Sequence, residues 1–596
     1  MTLLAPSLAP YPTITSPDNY PDEAPPNRAI AWKSPPGPTQ APGGSGHTGS
    51  PMTLPLAPFG PRSGLRGMVA AADQLAASAG IGMLARGGSA ADAAVATGST
   101  MAVVGPHLCG LGGDVLAMVA PPGSTPEALL SVGRAGSGSD AARMRAEGMT
   151  TMPLRGDIRS VQVPGAVDGW LALHARHGRL PLDEVLAPAI ELAEDGFPAS
   201  IMLALASHLV HALPGAGELC PGGPLEVGQR VRVPGIARTL RAVARDGRDG
   251  FYGGEFGRGL RELGSGHFEA ADFAASAAEW CQPLRAGAWG HELWTVPPPS
   301  QGYLTLAGAS VAESAGLGSD PDDPRWAHLL VESWRAVGHD RPDVLFDGAD
   351  GAALLHPDRL GRAVARVTGD RAAPPDVAPG HGTTGPAVTR LADGDTTHLC
   401  AMDADGLGIS LTQSNALDFG SHLIEPSTGV FLHNRGVGFS LVEGHPAKVG
   451  PGRRPPHTLS PMLVTAGGGA LTHLVGAMGG DAQPQIIVQL LARLLHAGQD
   501  PATAIAAPRL TLDAPAAGPF RLWWGDDLTV AVESDAPPRW QDGLAARGHR
   551  VRAIRAFDPV AVGCAQIIAV HGDGEGGRRL VAASDPRSPE GAAIGR

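Results

Sequence analysis

Lysine is almost missing from this 596-residue chain. Lys33 and Lys448 are the only two, and arginine makes up the rest of the 45 basic residues. The formal charge is −13, and no block of five or more like charges occurs. The sequence therefore lacks the basic footprint that nucleic-acid binders and proteins drawn to anionic membranes present. Cysteine is scarce and scattered: Cys109, Cys220, Cys281, Cys400 and Cys564 form no CxxC. That argues against a zinc site or a disulfide framework and suits a reducing compartment. Long apolar runs are absent too. The most apolar segment, Ala90–Val104, is interrupted by Asp92, Thr97 and Gly98 and is too short to span a bilayer. The first residues, MTLLAPSLAPYPTITSPDNY, have no basic start and are broken by proline, unlike a secretory signal. The expectation is a soluble, cytoplasmic protein.

Glycine (83) and proline (56) are abundant, which implies many turns and closely packed backbones. The length allows two to four domains or one large interwoven one. Eleven prolines in the first 50 residues, followed by GGSGHTGS, predict a disordered arm over residues 1–62. Beyond it, the pattern predicts a helix over Asp73–Arg86 and a second, Ala-rich helix opened by a capping box at Ser89–Asp92. The glycine turn in 105-GPHLCGLGGDVLAMVAPP-122 feeds a short strand. Residues from Val161 read as a strand, then helices around Gly169–His177 and Asp183–Asp195. A strand-turn follows at 294–306, and an amphipathic helix runs over Pro324–Val337. Residues 370–388 read as a flexible linker. After residue 396 come mainly strands, the helix Gln485–His496 and more strands. The elements alternate without a regular βαβ rhythm, which favours a layered α+β fold.

The segment 395-DTTHLCAMDADGLGISLTQS-414 holds the most chemistry. Two alternating runs flank Asp405-Gly406, a strong hairpin-turn signal. Paired residue numbers then sum to about 811, or to 810 if the loop has three residues, so Thr396 faces Asn415 or Ser414. Either register brings the Thr396 and Ser414 hydroxyls together at the open end of the hairpin. A threonine at a strand start after a mobile linker suggests a specific chemistry. Cleavage of the Asp395–Thr396 bond would give Thr396 a free α-amine, whose ordinary pKa of about 7.7–8.0 suits a general base for its own hydroxyl.

This segment resembles the processing site of the γ-glutamyltransferase (γ-glutamyltranspeptidase) family of N-terminal-nucleophile (Ntn) hydrolases. So do 67-GMVAAADQLAASAGIGMLARGGSAADAAVAT-97, 106-PHLCGLGGD-114, 162-QVPGAVDGW-170, 297-PPPSQGY-303, 476-GAMGGDAQPQ-485 and 583-ASDPRSPEGAA-593, in collinear order over about residues 65–596. The resemblance implies an αββα four-layer sandwich, two stacked antiparallel sheets between helices. It implies a large subunit, 63–395, and a small subunit, 396–596, interwoven as a heterodimer of the chain's own fragments. Thr396 would be the nucleophile and Ser414 its hydrogen-bond partner. The Gly479 and Gly480 amides, placed just before a helix, would form the oxyanion hole. Arg134, in 129-LLSVGRAGSG-138, would hold a substrate carboxylate. No metal or organic cofactor is implied, and the partner would be a small-molecule acyl donor rather than nucleic acid or membrane. The earlier Gly112-Gly113 pair reads as packing.

The chain departs from the family in the substrate pocket. In 431-FLHNRGVGFS-440, Arg435 and Gly438 occupy the places of a Gln and an Asp that bind the glutamyl α-amine. His457-Thr458 replaces a Ser-Ser pair that touches the substrate carboxylate. Ala416 stands where an Asn is expected, with Asn415 one step early. His457, Thr458, Asn415 and Arg435 are therefore expected to line a rebuilt pocket. The variants look like the acylase-like branch of the family. Three readings stay open: a γ-glutamyl or related amide acyl enzyme, a non-glutamyl acylase or C–C bond hydrolase of natural-product (alkylproline-unit) type, and an unprocessed binding homologue.

Overall fold

The computed structural model describes residues 60–374, 396–513, 523, 528–572 and 577–596. The expected arm lies almost wholly outside these residues, as do most of the expected linker and Asp395. Two seven-stranded antiparallel sheets organise the rest. In one, the strand order is Ala592–Gly595, Gly67–Ala71, Thr397–Asp403, Gly408–Ser414, Asp114–Ala120, Glu127–Ser131, Ala278–Cys281. In the other it is Arg62–Gly64, Arg578–Ser584, Ala565–Gly572, Leu471–Ala477, Met462–Ala466, His291–Thr295, Leu284–Ala288. Each sheet draws strands from both sides of residue 395, so the two stretches of chain are interwoven.

Strand side chains alternate between faces, and three apolar clusters follow from that. Leu399, Ala401, Ile409 and Leu411 pack with Val115 and Ala117 against helices Gln74–Ala85, Ala90–Val104 and Ala166–His177. Their neighbours Cys400 and Met402 face the opposite way, with Leu116 and Met118, and meet Leu463, Leu474 and Ile568 of the second sheet. The far face of the second sheet, including Val464, Val475 and Ile567, packs on helices Tyr303–Ser314, Pro324–Gly338 and Gln483–Leu491.

Helix Ala90–Val104 is buried at every position. Alanine, glycine, serine and threonine dominate it, and such small side chains suit a helix enclosed on all sides. The expected capping box forms: Ser89 N donates to Asp92 Oδ2 at 2.8 Å, and Asp92 N donates to Ser89 Oγ at 3.2 Å. No helix among the described residues is long and apolar enough to cross a membrane.

Two local expectations need correction. Residues 161–163 form no strand. They leave a 3₁₀ turn, and Val163 N donates to the Arg134 carbonyl at 3.0 Å, a single contact rather than a ladder. The strand expected from Trp294 ends at Thr295, and 304-LTL-306 lies in helix Tyr303–Ser314. The Pro297–Pro299 run, with a cis Pro298-Pro299 bond, separates the two elements.

Candidate active site

The hairpin has the 810 register: Thr397 pairs with Gln413, and Leu399 with Leu411. Four residues, Ala404-Asp405-Gly406-Leu407, separate the strands, and Asp403 N donates to the Leu407 carbonyl at 3.1 Å. Asp403 Oδ1 accepts the amides of Asp405, Gly406 and Leu407, each at 3.0 Å, and Gly406 takes φ +96°. This register sets Thr396 opposite Ser414. Their hydroxyl oxygens are hydrogen-bonded at 3.0 Å, and both residues are buried. The next strand extends the row, because Ser414 pairs with Asp114.

Ser414 Oγ is a junction. It accepts the Ala416 amide at 2.8 Å and Nη2 of Arg435 at 3.2 Å. The other arm of that guanidinium, Nη1, donates to Thr458 Oγ1 at 3.0 Å. Gln301 then ties Thr458 to the glycine turn, because its Nε2 donates to the Thr458 carbonyl at 3.0 Å and to the Gly480 carbonyl at 2.9 Å. A continuous chain of hydrogen bonds therefore runs from Thr396 through Ser414, Arg435, Thr458 and Gln301 to Gly480.

Gly479 and Gly480 follow strand Leu471–Ala477 and open the turn into helix Gln483–Leu491. Both have positive φ, +139° and +52°. A Cβ on Gly479 would meet Ile486 Cδ1 at 2.6 Å, so geometry and space both call for glycine there. Their amides precede the first helical turn, where N–H groups have no intrahelical acceptor and can serve an anion.

Behind Arg435 lies a buried ionic cluster. Asp114 accepts the amides of Gly133 (2.9 Å) and Gly165 (3.2 Å) and Nε2–H of His457 (3.3 Å). Nδ1 of His457 accepts the Leu459 amide at 3.3 Å, which fixes the neutral tautomer that donates from Nε2. Burial alone would raise the Asp114 carboxyl, but His433, His457 and Arg435 outweigh it and hold it down at about 2. Burial pushes His457 down to about 3 and lowers His433 as well. Arg435 is lowered by burial to about 10, opposed by the carboxylates of Asp114 and Asp481, and stays charged at neutral pH. Asp481 pairs with Arg341 at 3.0 Å.

The remaining expected residues stand elsewhere. Asn415 turns its side chain into the 106–113 loop, with Nδ2 donating to the Pro106 carbonyl at 3.1 Å. Arg134 is half exposed. It donates to the Gly452 carbonyl at 3.0 Å and lies 3.8 Å from Asp347, on the chain leading to His457-Thr458. Gly113 packs against the Ser414 carbonyl, and a Cβ there would approach to 2.4 Å, as expected for a packing glycine. Asp114, Gln301, His433, Arg341 and Asp481 were not singled out from the sequence. Four of them, Asp114, Gln301, His433 and Asp481, lie inside the motifs quoted above, and for Asp114 and Asp481 the signal was a carboxylate closing a glycine-rich run. Among the described residues, no cluster of three or more His, Cys, Asp or Glu could hold a metal ion.

Comparison with known proteins shows the family. The oxamate amidohydrolase proenzyme of Klebsiella pneumoniae is 34% identical over 549 residues, covering 89% of this chain and 98% of the relative. The glutathione hydrolase-like YwrD proenzyme of Bacillus subtilis is 32% identical over 547 residues, covering 89% and 99%. The cephalosporin acylase of Bacillus halodurans superposes with a TM-score of 0.80 at 28% identity, over 92% of this chain and 99% of that one. Residues 76–595 match the gamma-glutamyltranspeptidase family. The chain belongs to that family of hydrolases and is an enzyme of its γ-glutamyltransferase/acylase type.

Proposed function

We propose that this protein is a self-processing acyl hydrolase whose nucleophile is Thr396, exposed as an N-terminus by cleavage of the Asp395–Thr396 bond. The observation that carries this reading is the 3.0 Å contact between Thr396 Oγ1 and Ser414 Oγ at the open end of the central hairpin. Residues 63–395 would be the large subunit and 396–596 the small one. The three apolar clusters support an αββα four-layer arrangement of the pair.

In the reaction, the α-amine of Thr396 takes the hydroxyl proton as Oγ1 attacks the substrate carbonyl. The Gly479 and Gly480 amides receive the developing oxyanion, and one such donor is typically worth about 3–4 kcal/mol. The amine passes its proton to the leaving nitrogen, which leaves an ester on Thr396. Water, or an acceptor amine, then attacks that ester, and the proton returns to Oγ1.

We infer that the acyl group is not a typical γ-glutamyl group. A Cβ on Gly438 would lie 2.7 Å from the Pro456 carbonyl oxygen, so the backbone has closed over the place where an amine-binding carboxylate would project. A non-glutamyl amide acyl donor fits this better. A panel of γ-glutamyl, glutaryl and acylpyruvate-type substrates tests the assignment and includes the C–C cleavage alternative. Fastest turnover of the γ-glutamyl member would overturn it.

A further inference from the structure

We propose that the cleft around His107 is a binding site for a small protonated amine, and that it receives the amine half of the substrate, the half released when the acyl group passes to Thr396. The second clause rests on the reading of Thr396 as the nucleophile, whereas the first stands without it.

The cleft lies at the catalytic end of both sheets. Asp73, which lines it, follows strand Gly67–Ala71, and Ala71 lies opposite Leu399, so the chain leaves the sheet where Thr396 enters it. His107 sits in the loop between helix Ala90–Val104 and strand Asp114–Ala120, whose first residue pairs with Ser414. The adjoining Leu108 carbonyl accepts the Asn415 amide at 3.2 Å. From the second sheet comes Met478, the residue before Gly479. Arg134, Arg435 and Thr458, the residues expected around the acyl group, take no part in the lining. That leaves the cleft to the other half of the substrate.

Met101, Val104, Met202 and Met478 give the cleft apolar walls, and three polar groups line it as well. His107 is 5% exposed, yet neither ring nitrogen has a hydrogen-bond partner. Burial lowers it to about 4, so at neutral pH it is an uncharged imidazole with a free acceptor nitrogen. A buried polar group left unpaired costs about 1–3 kcal/mol, a cost that a donor ligand removes. Asp73 and Glu590 supply negative charge. Asp73 Oδ1 accepts the Leu75 and Ala76 amides at 2.7 and 3.4 Å, and Glu590 Oε1 accepts those of Ile201 and Met202 at 2.9 and 3.4 Å. Among the described residues neither carboxylate has an ion-pair partner, and the second oxygen of each stays free. Arg587 also lines the cleft, but its five N–H groups are engaged by Glu533, Asp585 and the carbonyls of Ile505 and Ala507. Burial raises Asp73 to about 6 and the Glu590 carboxylate adds to the shift, so the two carboxylates repel each other. A bound cation relieves that repulsion. Among the described residues no group of three or more His, Cys, Asp or Glu could hold a metal ion, which points to an organic cation. A protonated amine can donate to the His107 nitrogen and the free carboxylate oxygens while its carbon chain lies on the methionines.

Asp73→Asn and Glu590→Gln each remove one charge and keep a carbonyl oxygen for the helix amides. Three probes of one shape, n-butylammonium chloride, 1-butanol and sodium butyrate, are titrated calorimetrically into purified wild type at pH 7. The ammonium should bind about tenfold more tightly than the other two, and either variant should weaken it about tenfold, as loss of a charge-assisted hydrogen bond does. His107→Phe, which keeps a ring and loses the nitrogens, should weaken it as well. In hydrolysis of the p-nitroanilide that wild type cleaves fastest, n-butylammonium should raise KM and leave kcat unchanged. Absence of ammonium binding, equal binding of the three probes, or ammonium binding unchanged in both charge variants overturns the site. Binding that leaves KM unmoved overturns its assignment to the amine half. Calorimetric binding needs no nucleophile, so residual turnover by Thr396→Ala would remove the reading of Thr396 and leave the site standing.

Discussion

Ser414 pairs directly across the sheet with Asp114, the first residue of its strand, while its hydroxyl lies 3.0 Å from that of Thr396 on the other side. Thr396, the proposed nucleophile, Ser414 and the buried Asp114 carboxylate thus stand in one row. Removing the middle member should slow both reactions of Thr396 without abolishing either. A hydrogen bond contributes about 0.5–1.5 kcal/mol, so Ser414→Ala should lose roughly two- to thirteen-fold in processing rate and in kcat. Wild-type rates for Ser414→Ala would show that the contact is incidental.

Buried neutral histidines should make the fold acid-sensitive. Burial lowers His398, His457 and His473 to about 3 each, well below the ordinary 6.5. Between those values the unfolded chain binds protons that the folded chain refuses. Stability therefore rises with pH across this window and falls as pH drops from about 6.5 toward 3, by up to ~1.4 kcal/mol per pH unit for each histidine. Asp73 works the other way, because burial raises it to about 6 and protonation then favours the folded state. Three histidines against one carboxyl leave a net loss. Urea unfolding midpoints at pH 7.5 and 5.0 check the sign, and a higher midpoint at pH 5.0 would contradict it.

The glutamyl pocket should resist simple restoration. Gly438→Asp replaces the missing carboxylate in sequence, but its Cβ would meet the Pro456 carbonyl oxygen at 2.7 Å, and backbone must move to admit it. Overpacking of this kind typically costs 1–3 kcal/mol. The variant should be less stable than wild type and gain no γ-glutamyl-p-nitroanilide turnover. A tenfold gain in kcat/KM for that substrate would mean that the segment yields and the pocket was merely unfilled.

The hairpin was readable because local rules determine it. Alternation, the Asp405-Gly406 turn and register arithmetic placed Thr396 beside Ser414 before any three-dimensional information. The Ser89–Asp92 capping box was readable for the same reason. Asp114, Gln301 and Asp481 were not, because their roles depend on partners far along the chain: Asp114 meets His457, and Gln301 bridges Thr458 and Gly480. His457 and Arg435 were expected to line the pocket, yet the structure turns both onto protein groups. Nothing in the sequence separates a buried ion cluster from a substrate-facing one, since both need the same residue types. The missing strand at 161–163 has a similar origin, since an alternating VQV run has strand character but no neighbouring edge to pair with.

The most direct test is the N-terminus of the smaller fragment in the purified protein, read by N-terminal sequencing together with intact mass. The account predicts two fragments of roughly two-thirds and one-third of the chain, the smaller beginning TTHLCAMD. Thr396→Ser should still cleave in part, whereas Thr396→Ala should stay whole and inactive. A fragment that starts elsewhere, or an uncleaved chain with full activity, would contradict it.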